Sequence, residues 1–258
     1  MSASTSQKPL IEVRDFTAAY GDFVVIDNIS FDVYPGEVFI ILGGSGCGKS
    51  TVLKHMIGLY PPATGNIRID GGEITTAQGR ERVEILNRIG VMYQMGALFG
   101  SMNLLENVRL PLEEYTDLPD EAMDLIAKMK LRLVGLGEFT HHMPSEISGG
   151  MQKRAAIARA MALDPGILFL DEPSAGLDPI TSAELDQLIL RIKETLGVTF
   201  VVVTHELPSI FTIANRCIML DKRVKRIVAT GDPRELRESS DNPWVRQFFN
   251  RATEEGES

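Results

Sequence analysis

The chain has 258 residues, 44% hydrophobic and 24% charged, with a formal net charge of −9 at pH 7. This composition is typical of a folded globular protein, and the length fits one large domain with a smaller lobe or two domains. The acidic balance argues against a nucleic-acid partner without excluding a local basic patch. Apolar runs such as 198–203 are far shorter than the ~20 residues of a membrane helix, so we do not expect the chain to cross a bilayer by itself.

The N-terminal tail and the cysteines indicate a cytosolic protein. Residues 1–9 form a short polar tail that does not resemble a secretion signal. Only two cysteines occur, Cys47 and Cys217, and neither has metal-ligand spacing. We therefore expect reduced thiols rather than a disulfide, with Cys47 filling a loop rather than sensing redox state.

The first 42 residues predict strands and turns. Strands are expected at 10–17, 23–34 and 37–42, and the last of them follows a Pro35-Gly36 turn. An antiparallel β portion therefore comes first in the chain. A helix from residue 49 to about 59 and a short strand at 66–70 are expected next.

Residues 43–50 are the most informative part of the chain. They read Gly-Gly-Ser-Gly-Cys-Gly-Lys-Ser, fit G-x-x-x-x-G-K-[ST], and directly follow an apolar run. Glycines permit a turn whose N–H groups converge on phosphate oxygens, and the next helix presents its positive end to the same anion. Lys49 can reach the β- and γ-phosphates, and the Ser50 hydroxyl can bind Mg²⁺. We expect a nucleoside triphosphate to be bound by Gly43, Gly44, Ser45, Gly46, Cys47, Gly48, Lys49, Ser50 and Thr51.

The rest of the chain changes from helical to alternating patterns. Residues 78–163 are mostly helical, with breaks at 90–103 and 143–150, and predict an inserted lobe at about 95–165. Strands at 167–171, 198–204 and 217–221 then alternate with helices at 180–196 and 207–214, which predicts a parallel sheet. The predicted class is α/β: a P-loop NTPase core with a mainly parallel sheet, an N-terminal antiparallel β portion and an inserted α-helical lobe. The domain is expected at 10–240, with a tail at 241–258 that contains a short amphipathic helix at 243–250. Its apolar stripe would pack either on its own domain or on a neighbouring subunit.

An apolar strand at 168–172 ends in two carboxylates, Asp171 and Glu172. Opposite a phosphate-binding lysine, Asp171 would hold Mg²⁺ directly or through water. Glu172, turned the other way, would orient and polarise the attacking water. The alternative is that the pair caps a helix or loop before Pro173.

A second glycine pair follows a serine at a predicted helix start. Ser148, Gly149 and Gly150 open a helix that runs to residue 163. Such a helix end can bind an anion in the same way as the first glycine loop. The alternative is an ordinary N-cap followed by a turn.

Together these motifs resemble the nucleotide-binding subunits of ATP-binding cassette (ABC) transporters over nearly the entire chain. In the family's order they are the adenine-stacking Tyr20, the Walker A loop at 43–50, the Q-loop Gln94, the signature at 148–150, Walker B at 168–171 with the catalytic Glu172, the D-loop at 175–178 and the switch residue His205. Without this resemblance, Tyr20 could be hairpin core, Gln94 a surface amide and His205 a strand terminus.

The resemblance implies hydrolysis of ATP with Mg²⁺. Lys49, Gln94, Glu172 and His205 would be catalytic, Ser50, Gln94 and Asp171 would hold the metal, and Asp178 would lie at the nucleotide. Two copies would pack head to tail, so that the signature of one copy closes over the Walker A loop of the other. The family usually carries L-S-G-G-Q. Because Met151 replaces the glutamine here and Gln152 follows it, the signature's side-chain contacts are left open.

Residues 94–103, 106–108, 111–112, 176–181 and 244–249 resemble the ATPase of Mla-type, Mce-associated lipid transporters. This implies a peripheral subunit at the cytoplasmic face of the bacterial inner membrane that powers phospholipid transport between inner and outer membrane. A permease dimer, an Mce-domain protein and a small STAS-domain protein would be partners, and nucleic acid would not. Residues 97–99 would be either a docking site for the permease or core.

Three alternatives stay open at this point. The first is a cassette ATPase for another cargo, such as an amino acid or a lipoprotein. The second is a soluble cassette ATPase that acts on nucleic acid or ribosomes, although no second cassette or long coiled coil is visible. The third is a P-loop kinase, which would leave residues 148–150 unexplained.

Overall fold

A computed structural model describes residues 8–250 of the chain. These residues form two compact units, and the first of them contains residues 8–85 and 203–250. The second unit contains residues 86–202. The predicted domain bounds, 10–240 with a lobe at about 95–165, stay predictions, and residues 1–7 and 251–258 of the predicted tails lie outside the described part.

The first unit contains most of the strands. Its strands are β1 (Ile11–Tyr20), β2 (Phe23–Val33), β3 (Val38–Gly43), β4 (Thr64–Ile69), β5 (Gly72–Glu73), β9 (Arg216–Asp221) and β10 (Arg226–Gly231). Its helices are α1 (Lys49–Met56), α2 (Gly79–Leu86), α7 (Leu207–Ile213), α8 (Pro233–Ser239) and α9 (Pro243–Asn250).

The sheets of this unit confirm the predicted antiparallel N-terminal portion. Strands β2, β1, β4 and β5 form one antiparallel sheet in that order. Strand β3 pairs in parallel with β9, which pairs antiparallel with β10. All six residues of β3 are buried, so a fully apolar run delivers the chain to the glycine loop.

The second unit is mainly helical around a small sheet. Its elements are β6 (Ile89–Met92), α3 (Leu104–Tyr115), α4 (Asp120–Leu133), α5 (Gly149–Ala160), β7 (Ile167–Asp171), α6 (Pro179–Leu196) and β8 (Thr199–Val203), with 3₁₀ turns at Gly137–Phe139 and Pro144–Glu146. Strand β6 pairs in parallel with β7, and β8 lies on the other side of β7.

Helix ends in the second unit follow from their capping residues. Asn103 and Glu106 form a reciprocal capping box at the start of α3. Helix α6 begins with Asp178 as N-cap and Pro179 as its first residue, and it ends at Gly197 with φ of 68°. These local signals explain why the predicted bounds of α6 are correct to within one residue.

The C-terminal helix α9 packs on its own unit. Val245 and Phe249 are buried, and the Phe249 ring centroid lies 5.7 Å from that of Phe211. The amphipathic stripe predicted at 243–250 is therefore accounted for within the chain.

Some elements differ from the sequence predictions. Strand β2 is continuous although polar residues interrupt its apolar pattern, and α1 ends at Met56 rather than about residue 59. Strands β5 and β10 and helix α8 were not predicted at all. Strand β10 contains Arg226 and no fully buried residue, so it lacks the apolar alternation that marks a strand.

Candidate functional site

The loop between β3 and α1 has the backbone that a phosphate loop requires. Gly43 has φ of 147° and Gly48 has φ of 98°, which side chains rarely adopt. A β-carbon on Gly43 would lie 2.4 Å from the Leu220 carbonyl oxygen, and one on Gly48 would lie 2.7 Å from Cδ1 of Ile26. These two positions therefore require glycine for both conformation and space.

Lys49 lies folded over this loop. Its Nζ donates to the carbonyl oxygens of Gly43, at 3.0 Å, and of Gly44, at 3.3 Å. The side chain is buried although it is charged. A cation held against the loop that precedes a helix N-terminus is suited to receive an anion.

Cys47 is an inert part of the loop. Burial raises the pKa of its thiol, although the Lys49 cation opposes this shift. Burial also raises the pKa of Cys217 to about 12, and both cysteines are free. Raised pKa values keep both thiols protonated at neutral pH.

The other predicted residues of the first unit occupy strand ends. Tyr20 is the exposed last residue of β1, and its ring packs edge-on against Tyr60 with centroids 6.5 Å apart. His205 follows Thr204, whose N–H donates to the Ile41 carbonyl of β3 at 3.4 Å. This hydrogen bond places His205 near the end of β3 that leads into the phosphate loop. Its Nε2 lies 3.8 Å from Oε1 of Glu206.

In the second unit, β7 ends in the two predicted carboxylates. Asp171 and Glu172 are both buried at the end of a fully buried strand. Glu172 has φ of 47°, a left-handed conformation that costs about 1–3 kcal/mol for such a residue. Strain of this kind is often found at functional sites, which favours the catalytic interpretation over the helix cap.

The signature segment begins α5 as predicted. Ser148 is the N-cap, and its hydroxyl accepts from the Met151 N–H at 3.3 Å. A β-carbon on Gly150 would lie 2.4 Å from Cγ2 of Thr181, so close packing of α5 and α6 requires glycine there. Gln152 donates to the carbonyl oxygens of Pro144 and Ile147. The Gln152 amide therefore holds the turn before α5. It does not take the place of the signature glutamine, whose position is occupied by Met151.

Asp178 has a structural task in this chain. Its carboxylate accepts from the N–H groups of Ile180 and Thr181 and from the Thr181 hydroxyl, at 3.0, 3.1 and 2.5 Å. The hydroxyl and the backbone N–H of Thr181 lower the pKa of Asp178 below its usual range. Asp178 is thus the N-cap of α6, and its contact with nucleotide stays a prediction.

Gln94 lies exposed after β6, and its carbonyl oxygen accepts from the Lys153 ammonium. Burial lowers the pKa of Lys153, while Asp171 and Glu172 raise it. Nothing in the sequence marks Lys153 as a site residue, because a lysine in a helix is usually solvated. Within residues 8–250, no group of three or more histidine, cysteine or acidic side chains could hold a metal.

These features define a class. A buried strand that runs into a glycine loop with a buried lysine, together with a strand that ends in two buried carboxylates, is typical of the P-loop ATPases. Residues 26–175 match the family model described as "ABC transporter". The chain belongs to the ABC transporter family, and it is an ATPase.

Relatives with transport names cover most of the chain. It is 45% identical over 240 residues to the probable ribonucleotide transport ATP-binding protein mkl of Mycobacterium leprae, covering 93% of this chain and 68% of that one. It is 41% identical over 240 residues to the intermembrane phospholipid transport system ATP-binding protein MlaF of Escherichia coli K12, covering 93% and 88%.

Solved structures confirm the predicted fold class. The ATP-binding cassette MJ0796, in a dimeric post-hydrolysis state bound to ADP and Pi, is 31% identical with a TM-score of 0.78, covering 86% of this chain and 98% of that one. The cbiO1 protein of Clostridium perfringens, part of the ABC transporter complex cbiONQ, is 26% identical with a TM-score of 0.81, covering 89% and 90%. In residues 8–250, no helix has the length and apolar character needed to span a membrane.

Proposed function

We propose that this ATPase powers phospholipid transport between the inner and outer membrane, as a peripheral subunit at the cytoplasmic face of the bacterial inner membrane. The observation that carries the proposal is the similarity to MlaF proteins along nearly their whole length. Further support comes from the exposed apolar segment next to Gln94, which gives a cassette a surface for a membrane partner.

ATP would bind with its phosphates in the loop 43–51 and its adenine against Tyr20. Lys49, already held at the loop, would move its ammonium from two carbonyl oxygens to the β- and γ-phosphates. Glu172 would polarise the attacking water, and His205 would contact the γ-phosphate. Charge that develops on the phosphoryl oxygens would then face a cation and backbone donors.

The residues proposed to hold Mg²⁺ fit that ion. Ser50, Gln94 and Asp171 supply a hydroxyl, an amide and a carboxylate, and Mg²⁺ prefers such oxygen ligands with waters and phosphate completing its shell. Bound Mg²⁺ would neutralise phosphate charge in the transition state.

We propose that two copies of this chain form the dimer that hydrolyses ATP. The related MJ0796 cassette is dimeric in its post-hydrolysis structure. Ser148, Gly149 and Gly150 of one copy would then close over the nucleotide of the other. Ser148 already turns its hydroxyl to the first turn of α5, so backbone N–H groups would be the main donors. Asp178 would act at the nucleotide by holding the start of α6.

The permease dimer would dock beside Gln94. Met95 is 87% exposed and Phe99 is 49% exposed, and neighbouring apolar side chains of this size favour a protein contact. The Mce-domain and STAS-domain proteins would complete the assembly, and nucleic acid would not be a partner.

Isolation of the tagged chain from detergent-solubilised membranes tests the proposal. We expect an integral-membrane protein and phospholipid to co-purify, and MgATP hydrolysis to be stimulated by that complex. Phe99→Gln should reduce recovery of the membrane partner. Leu196→Gln, at another exposed apolar residue, should not. A membrane partner recovered with no phospholipid above the level of an untagged control would contradict the cargo.

A different cargo is the second candidate. The similarity to mycobacterial proteins named for ribonucleotide transport supports it. Transport assays with the reconstituted complex, using labelled phospholipid in one arm and labelled ribonucleotide in the other, separate the two.

A further inference from the structure

The loop 94–97 is fastened to helix α5 by two cationic side chains. Lys153 donates to the carbonyl oxygen of Gln94. Arg159 donates to the carbonyl oxygens of Gly96, at 3.0 Å, and Ala97, at 2.6 Å. Three carbonyl groups of one short loop are therefore held by one helix.

The backbone of this loop needs such support. Gly96 and Ala97 have φ of 72° and 52°, so two successive residues are left-handed. Alanine avoids this region because its β-carbon crowds the following carbonyl oxygen. A β-carbon on Gly96 would lie 3.5 Å from that of Ala156, which shows how closely the loop lies on α5. The two cations stabilise a conformation that the loop sequence does not favour.

The burial and charge of Lys153 set it apart from a surface lysine. It is only 8% exposed, and the carboxylates of Asp171 and Glu172 act on its charge. Arg159 is partly buried, and this burial lowers its pKa while Tyr93 opposes the shift. A buried cation is costly unless it is paired, so the position of Lys153 indicates a defined task.

We propose that Lys153 and Arg159 are positioning residues for ATP hydrolysis: they lock the Gln94 loop to the helix whose first turn is the signature. The inference rests on the proposed role of Gln94 as one of the residues that hold Mg²⁺.

Lys153→Met in the full-length chain tests this inference. The substitution keeps an unbranched side chain only one atom shorter and removes its charge and donors. We expect kcat for MgATP to fall about tenfold, since small displacements of positioned groups cost this much or more. The KM for ATP should stay within about twofold, because the phosphate loop is unchanged. Amide hydrogen exchange at residues 94–97 should become faster.

Three further variants make the result specific. Lys153→Arg keeps a cation and should restore most of kcat and the slow exchange. Arg159→Lys keeps the charge but replaces the two guanidinium nitrogens that donate to the loop by a single ammonium group. It provides a second test if Lys153→Met folds poorly. Lys128→Met removes an exposed lysine of α4, which pairs with Asp124 at 3.7 Å, and should change neither quantity. The thermal midpoint of each variant checks the fold.

The outcomes are distinct. Unchanged exchange at 94–97 in both Lys153→Met and Arg159→Lys overturns the inference, whatever the effect on kcat. Faster exchange with unchanged kcat shows that the loop is held but that its position does not serve hydrolysis, which also overturns it. Gln94→Ala with full turnover would refute the proposed role of Gln94 instead, and the exchange data would be unaffected by that result.

Discussion

Trp244 of α9 lies against Gly44 of the phosphate loop: a β-carbon placed on Gly44 would be 3.9 Å from Cζ2 of the indole. Arg223 also contacts this indole, and its guanidinium carbon lies 5.0 Å from the centroid of the Trp244 ring. The C-terminal helix therefore reaches the loop that we expect to bind phosphate.

This contact predicts an optical signal for nucleotide binding. Trp244 is the only tryptophan of the chain, so its emission reports on this position alone. We expect MgATP to change its intensity or wavelength, because the charge and packing around Gly44 change. Lys49→Ala should reduce the response at a given ATP concentration. A tryptophan spectrum that is unaffected by saturating MgATP would contradict the placement of α9 beside the bound phosphates.

The sequence was most informative where chemistry demands particular residues. The glycine loop, the buried strand that ends at Asp171 and Glu172, and the helix at 243–250 were predicted correctly, because backbone conformation and apolar patterns leave few alternatives there. The loop contacts of Lys153 and Arg159 were missed, since their partners are backbone carbonyls that carry no sequence signal. For Asp178 the reverse holds. The family motif predicts a position at the nucleotide, whereas the structure shows that its carboxylate caps helix α6.

Glu172→Gln separates binding from hydrolysis. The amide is isosteric but cannot accept a proton, so we expect turnover to fall by about a hundredfold or more while ATP still binds. Equilibrium binding of ATP and release of phosphate measure the two effects. ATP-bound dimers of the variant should accumulate on gel filtration. Turnover equal to that of the unchanged protein would remove Glu172 from the proposed mechanism.

The carboxyl of Asp221 makes the free energy of unfolding depend on pH in the acid range. Hydrogen bonds from Arg223 lower the pKa of its carboxyl below the ordinary 3.8. A carboxyl with a lowered folded-state pKa stabilises the fold fully above its unfolded pKa, and this contribution is lost as pH falls through the folded value.

The variant Asp221→Asn should therefore be less stable than the unchanged protein at pH 7. The difference should shrink as the pH falls below the ordinary carboxyl range. Denaturation curves across this pH range measure both effects, and a difference that stays constant with pH would show that the carboxyl's charge is not responsible.

The buried side chain of Asn107 holds the turn at residues 99–103, which presents Phe99. It is 0% exposed, and its amide oxygen accepts from the Phe99 N–H at 2.8 Å. Its amide nitrogen donates to the carbonyl oxygens of Phe99, Met102 and Asn103 at 3.1, 2.9 and 3.0 Å. One side chain thus satisfies four backbone groups of the turn that presents Phe99.

Asn107→Leu keeps the branched shape of the side chain and leaves the Phe99 N–H and the Met102 carbonyl without this partner. The Phe99 and Asn103 carbonyls keep backbone donors, the N–H groups of Met102 and of residue 107. We expect the free energy of unfolding to fall by about 3 kcal/mol, because each buried unsatisfied group costs about 1–3 kcal/mol and the turn relaxes in part. Asn103→Ala, which removes only the N-cap of α3, should cost about 1 kcal/mol. Urea denaturation measures both. Equal losses would mean that the turn before α3 is held by its cap, and that Phe99 is presented without help from Asn107.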